Sequence, residues 1–321
     1  MKPPRFGPSL IVHGGAGSAC AASELAPRRA AMLKAAKRAL TILRDGGDAL
    51  DAVIAAVRTL EDDPLFNAGL GSALNAAGMV EMDAAVMIAG IAGTDRAHIG
   101  ANNAGGVAIV SRVRNPILLA RAVMEKSPHV LIAAAGAERF ARRTGMTLCR
   151  PSDLITTRSR ARWTAMVRRV AKRPPDHGTV GAVALDVNGG IAAATSTGGI
   201  TGKLPGRIGD SPIPGAGLYA AAAGAASATG YGEAIITHAI CRTAVEGLSS
   251  ASPSKSAQQT IANMGHDSGR EAGVILIDSR GRVGYAHNAA AMEVASFDRK
   301  AGLIHRWVKP IGPSRRSGRP A

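Results

Sequence analysis

Aromatic residues are nearly missing from this chain: four Phe, three Tyr and two Trp make up only 3% of 321 residues. A stacking platform for single-stranded nucleic acid needs aromatic faces, so the composition argues against one. Cysteine is scarce too. Cys20, Cys149 and Cys241 stand far apart and offer neither a disulfide framework nor a CxxC metal pair. Reduced thiols and a cytoplasmic location are the expectation. The eight histidines form no HxxxH or HExxH, which argues against a catalytic zinc. No GxSxG marks a serine nucleophile. The glycine-rich "HGGAG" and "NAGLGS" lack both the GxGxxG spacing and the GK[ST] ending of phosphate-binding loops. Long apolar runs are absent as well. The uncharged stretch from Ser211 to Gly232 is Gly, Ala, Ser and Pro, and reads as buried loop and turn. "MKPPRFGPSLIVHGG" lacks the apolar core of a signal peptide.

Small apolar residues and positive charge are abundant. Hydrophobic residues reach 46%, with 39 glycines, so the core is expected to pack backbone closely through small side chains. The length allows one large or two ordinary domains. Net charge is +16. Much of it sits in Arg158 to Arg173 and in the tail from about 309, which is expected to be disordered. Neither stretch interleaves aromatics with its charges; Trp163 is alone.

Periodicity predicts a strand at "SLIVHGGAG" and a helix over Glu24 to Arg44, with Met32, Ala36, Leu40 and Leu43 inward. Asp48 is placed to cap a second helix bearing Leu50, Val53, Ile54, Val57 and Leu60. Leu60 to Gly78 reads as a loop, and Met79 to Ile88 and Ala104 to Arg112 as strands. A helical region runs from Pro116 to about Arg143, broken near Ser127-Pro128. "TVGAVALD" and "IAAATST" flank "VNGG", a strong hairpin signal. Gly232 to Leu248 reads as one helix, and Gly273 to His287 as a second hairpin. Hairpins imply antiparallel sheet. The expected class is therefore α+β, with helices covering stacked sheets.

Chemistry concentrates between Gly178 and Gly232. Thr179, Thr197 and Thr229 sit near strand ends or in glycine-rich turns. Arg207 and Asp210 lie three residues apart in a loop stiffened by Pro and Gly. An arginine fork suits a carboxylate and an aspartate suits an ammonium, so the two fit an amino-acid head group. A plain Arg207–Asp210 salt bridge fixing the loop fits the spacing equally.

The pieces "IVHGGAG", "FNAGLGSALNAAGMVEMDAAVM", "GTVGAVALD", "AAATSTGGITGKLPGRIGDSPIPGAG" and "TGYGE" occur in an order that resembles the plant-type L-asparaginase and isoaspartyl peptidase family. That family belongs to the N-terminal nucleophile hydrolases. The resemblance runs from about Leu10 to near His287. It implies a four-layer αββα sandwich and an autoproteolytic cut between Gly178 and Thr179. The resulting fragments are 1–178, ending in a basic mobile linker from about 155, and 179–321, assembled as (αβ)2.

The resemblance gives Thr179 as nucleophile, with Thr197 hydrogen-bonded to it. Thr229 and Gly230 become the oxyanion hole. Arg207 and Asp210 hold the substrate's α-carboxylate and α-ammonium, and the Gly232 carbonyl helps with the ammonium. Asn67 is placed near the scissile bond. The loop from Leu60 to Leu70 is implied to wrap a structural sodium with the backbone of Leu60, Glu61, Asp63, Phe66, Ala68 and Leu70. No cofactor for catalysis is implied.

The implied activity is hydrolysis of L-asparagine and β-aspartyl dipeptides. A glycosylasparaginase-like hydrolase is the near alternative. A basic nucleic-acid-binding protein on an inactive scaffold is the distant one. The chain departs from its relatives at Gly202, where asparagine is common. It also departs at Tyr231, where a smaller residue is usual and where a ring could trim the leaving-group pocket. "AAVMIAG" lacks the aspartate often found after the methionine.

Overall fold

A computed structural model of the chain describes residues 7–90, 103–168, 178–298 and 302–311. Its frame is two sheets whose central strands, such as β5, β6 and β9, are buried on both faces. The larger sheet is built from β1 (Ser9–Gly17), β2 (Met82–Gly90), β3 (Ala104–Val110), β4 (Leu131–Ala133), β5 (Val180–Leu185), β6 (Gly190–Thr197), β11 (Ala291–Asp298) and β12 (Gly302–Trp307). Its strand order is β12-β11-β1-β5-β6-β2-β3-β4. The smaller has β7 (Leu218–Ala221), β8 (Gly224–Gly230), β9 (Ala272–Asp278) and β10 (Val283–His287), in the order β10-β9-β8-β7. Every pairing is antiparallel except β3 with β4.

Strand alternation sorts the core into three parts, because successive side chains point to opposite faces. Leu10, Val12, Ala182, Ala184, Ala192 and Ala194 pack with α1 (Ala22–Arg44), α2 (Ala49–Glu61) and α3 (Pro116–Lys126). Their neighbours Ile11, Val183, Leu185, Ile191 and Ala193 meet Ala225, Ile275 and Ile277 between the sheets. Ala226, Ala228, Val274 and Leu276 face α7 (Ile240–Glu246) and α8 (Pro253–Ser268). Alanine at so many of these positions lets sheets and helices approach closely without aromatics. The Asp48 side chain caps α2 by accepting from Asp51 N–H at 2.8 Å, a contact worth about 1 kcal/mol.

Two expectations are corrected, and the basic linker is described in part. Ser211 to Gly232 is not all loop, since β7 and β8 lie within it. Small residues hid the strands, yet each is buried between layers. The single helix expected over Gly232 to Leu248 is two, α6 (Gly232–Thr237) and α7. The break is at Ala239, which adopts φ +45°. It frees the first N–H groups of α7, so Cys241 and Arg242 donate to the Ala216 and Gly215 carbonyls. The linker expected from about 155 is, in its first part, helix α5 (Thr157–Val167) following α4 (Ala134–Arg143). Trp163 Nε1 anchors it to the Asn75 carbonyl at 2.9 Å, and Arg158 pairs with Glu24. Residues 169–177 and the tail from 312 lie outside the described residues.

Candidate active site

The β5–β6 hairpin places the first pair of threonines. Its register sets Val180 opposite Ser196. One residue further, Thr179 comes opposite Thr197. The Asp186–Gly189 turn fixes that register, and Asp186 secures it by accepting from Asn188 and Gly190 N–H. Thr179 and Thr197 are both buried. The Thr197 hydroxyl accepts from Gly199 N–H at 2.9 Å.

Thr229 arrives from the other sheet, on β8. Its Oγ1 accepts from Thr179 N–H at 3.3 Å and from Ala16 N–H at 3.1 Å. A hydroxyl has two lone pairs and one proton. With both lone pairs used, the Thr229 proton is left to donate elsewhere. Gly230 follows with φ +135°, a conformation that favours glycine, and a Cβ there would meet Ala272 Cα at 2.5 Å.

Behind Thr179, His13 Nε2 and Ser227 Oγ are 2.8 Å apart and join β1 to β8. The bond passes through the place where residue 181 has no side chain. A Cβ on Gly181 would lie 2.1 Å from Ser227 Oγ and 2.4 Å from His13 Nε2. Burial lowers the His13 pKa to about 3, so the ring is neutral. Sequence reasoning missed both residues. The available signal was a histidine pointing into a sheet beside "GTVG".

Gly178 stands beside Thr179 and is not among the glycines with positive φ. The left-handed residue next to the bond is Gly15, at φ +112°. A Cβ on Gly15 would sit 3.0 Å from Gly178 Cα. From the other side, a Cβ on Gly178 would lie 3.4 Å from Asn67 Cβ. Asn67 is buried, and its side chain donates to Gly199 O and accepts from Ala73 N–H, both at 2.7 Å.

The far end of the cleft is a loop. Gly178, Thr179, Thr197, Gly199, Ile200, Arg207, Asp210 and Gly230 enclose an open cleft of about 220 Å³. Arg207 does not pair with Asp210. Its Nε and Nη2 instead grip Glu233 at 3.0 Å each, so the plain salt bridge between the two is not formed. Glu233 went unnoticed in the sequence, although it ends "TGYGE" and lies in the first turn of α6.

Burial raises the Asp210 pKa to about 7, and its Oδ2 has no hydrogen-bond partner among the described residues. Gly232 lies between the two: a Cβ there would be 2.6 Å from Arg207 Nη2 and 2.9 Å from Asp210 Oδ1. The loop is pinned from outside. Asp83 on β2 accepts from Gly209 and Ile109 N–H at 3.0 Å each. Thr195 donates to Ser211 O, and Lys203 Nζ to Glu81 O, both at 2.7 Å.

Two of the three expected departures, Gly202 and Tyr231, have local settings in the structure. Gly202 has φ +77°, and a Cβ there would strike Met166 of α5, so a methionine fills the space. The Tyr231 ring stacks under Arg270, 4.6 Å from the guanidinium carbon, and is not among the residues enclosing the cleft. Among the described residues no group of three His, Cys, Asp or Glu forms a metal cluster, and no helix is long and apolar enough to cross a membrane. Cys20, Cys149 and Cys241 are all free.

Comparison of the sequence with known proteins gives the family. The asparaginase family profile covers residues 6–303, and the chain belongs to that family. It is 40% identical to the isoaspartyl peptidase/L-asparaginase of Bos taurus over 310 residues, spanning 94% of this chain and 96% of that protein. The Xenopus laevis protein of the same name is 39% identical over 279 residues, covering 85% and 87%. The plant-type L-asparaginase of Pyrococcus abyssi is 39% identical over 308 residues, covering 89% and 95%.

Proposed function

We propose that this chain is an amidohydrolase of asparagine side chains and β-aspartyl dipeptides, activated by a cut between Gly178 and Thr179. The observation that carries the reading is the convergence of Thr179, Thr197, Arg207 and Asp210 on one cleft, with Thr229 bonded to Thr179 N–H from behind it. A threonine hydroxyl needs a base beside it to act as a nucleophile at neutral pH. Cutting before Thr179 creates an α-amine with an ordinary pKa of about 7.7–8.0. Base and nucleophile then share one residue, in fixed geometry.

The Thr179 hydroxyl attacks the side-chain carbonyl of the substrate and passes its proton to the amine. Charge collects on the carbonyl oxygen. The uncommitted Thr229 proton and the Gly230 N–H meet it there; each such donor is worth about 3–4 kcal/mol of barrier. The Thr197 hydroxyl holds the nucleophile in line. Ammonia or an amino acid leaves with the proton, and water hydrolyses the β-aspartyl ester. Arg207 takes the substrate's α-carboxylate by shifting its fork from Glu233. The unpartnered Asp210 oxygen and the Gly232 carbonyl take the α-ammonium.

Self-cleavage uses the same hydroxyl against the Gly178 carbonyl, as an N-to-O acyl shift completed by water. The fragments 1–178 and 179–321 then remain one folded domain of four layers, αββα, consistent with three cores stacked between helices and two sheets. An (αβ)2 assembly would cover exposed apolar side chains such as Leu204, which is 75% exposed.

Backbone carbonyls are the kind of donor a hard cation takes. Those of Leu60, Glu61 and Asp63 each also accept one hydrogen bond within the loop, from Asp63, Leu70 and Phe66 N–H, which leaves each a second lone pair. A sodium held by Leu60, Glu61, Asp63, Phe66, Ala68 and Leu70 would stiffen the loop that carries Asn67 and take no part in the chemistry. The sparse, free thiols fit a cytoplasmic location.

Intact mass and a denaturing gel test the reading. Wild type should resolve into two fragments, the second beginning at Thr179, and release aspartate from β-aspartyl dipeptides. Thr179→Ala should remain one chain with no turnover. Wild type that hydrolyses at full rate while still a single chain would overturn the scheme.

A further inference from the structure

The "HGG" turn is a β-bulge: the register of β1 against β11 shifts between His13 and Ala16. Bulges re-aim backbone near active sites. This one presses Gly15 against Gly178. Something must hold it there, and the side chain that does so comes from α1.

Arg28 is 12% exposed and every arm of its guanidinium is engaged. Nε donates to Glu293 Oε1 at 2.6 Å, Nη2 to the Gly14 carbonyl at 2.9 Å, and Nη1 to the Leu65 carbonyl at 2.9 Å. The guanidinium carbon lies 4.6 Å from the centre of the Phe66 ring. Glu293 is fully buried on β11, and its Oε2 lies 3.2 Å from His305 Nε2. Gly14 has no room for a side chain in this cluster: a Cβ would meet Glu293 Oε1 at 2.7 Å and Phe66 at 2.8 Å.

One planar cation thus ties together the bulge, the 60–70 loop and β11. The first two are the segments that flank Gly178, through Gly15 and through Asn67. We propose that Arg28 is a positioning residue for self-cleavage: it clamps the bulge and the Asn67 loop on opposite sides of Gly178 and so holds the Gly178 carbonyl in line with the Thr179 hydroxyl. This rests on the self-cleavage reading above. It assigns Arg28 no contact with substrate, because Arg207 and Asp210 stand at the other end of the cleft. Lysine cannot replace it, since a single ammonium cannot meet three acceptors in one plane and stack on a ring.

The test follows fragment appearance in time for wild type, Arg28→Ala, Arg28→Lys and Glu293→Gln, with thermal unfolding of each. A misplacement of about 1 Å costs on the order of a hundredfold in rate. Arg28→Ala should therefore cut at least ~10-fold more slowly than wild type, and Arg28→Lys should not recover. Millimolar guanidinium chloride should speed Arg28→Ala while leaving wild type unchanged, and sodium chloride at the same concentration should do nothing.

Arg28→Ala that has finally matured should bind asparagine with a KM near that of wild type. Glu293→Gln keeps the shape, and should slow cleavage in the same direction if Arg28→Ala does not fold. Wild-type cleavage rates in Arg28→Ala, or in Glu293→Gln where only that variant folds, would overturn the proposal. A slowing of Arg28→Ala that guanidinium does not relieve would also overturn it. Wild type that never cuts would overturn the self-cleavage reading itself.

Discussion

At one end of the cleft, Thr179, Thr197 and Thr229 stand at strand ends or beside them. At the other, Arg207 and Asp210 stand on a loop. The threonines inherit their positions from register: once the Asn-Gly turn is made, Thr179 must come opposite Thr197. The loop inherits nothing. Asp83 on β2 and Thr195 on β6 hold its backbone, and its own Lys203 reaches back to the Glu81 carbonyl. In the proposed reaction, bond making falls to the stiff end, and recognition to the end that buried polar anchors must hold in shape.

That contrast is open to attack by mutation. The largest effect in the mature enzyme is expected for Thr229→Val, which keeps the shape and removes the donor. It should lose about 100–1,000-fold in kcat, with KM little changed, as steady-state kinetics on asparagine would show. Asp83→Ala leaves the Gly209 N–H of the loop and the Ile109 N–H of β3 unpaired, at about 1–3 kcal/mol each. KM should rise roughly tenfold, since 1.4 kcal/mol is a factor of ten, while self-cleavage keeps its rate. Equal losses in both would erase the distinction between the two ends.

The smallest effect is that of pH. Burial holds Asp210 neutral below about 7, so its carboxylate becomes available to a substrate ammonium only as pH rises through that value. KM should fall across that range and flatten above it. Stability should move the opposite way. The folded protein keeps a proton that the unfolded chain releases near 3.8, so the Asp210 contribution to stability is lost as pH climbs from there to about 7. Asp210→Asn should remove both slopes, measured by KM and by thermal midpoint.

The sequence made the two helical faces of α1 and α2, both hairpins and the threonine positions legible, because period and turn chemistry are local signals. It hid β7 and β8, since alanine and glycine carry no strand preference and only burial between layers makes them strands. It hid the helix break at Ala239, which answers to carbonyls of a distant loop. The left-handed backbone beside the Gly178–Thr179 bond lies at Gly15, more than 160 residues away in sequence, where no local signal marks it. Glu233, Asp83, His13 and Ser227 act through partners more than twenty residues away, and no spacing rule reaches that far.

The 3.3 Å contact between Thr179 N and Thr229 Oγ1 has a polarity. While position 179 is joined to 178 its nitrogen is an amide, which donates and has no lone pair to offer. Release as a free amine supplies that lone pair, and the same two atoms can then face each other with the proton on either side. Severing a single bond would convert a one-way contact into a reversible one, with no atom needing to travel.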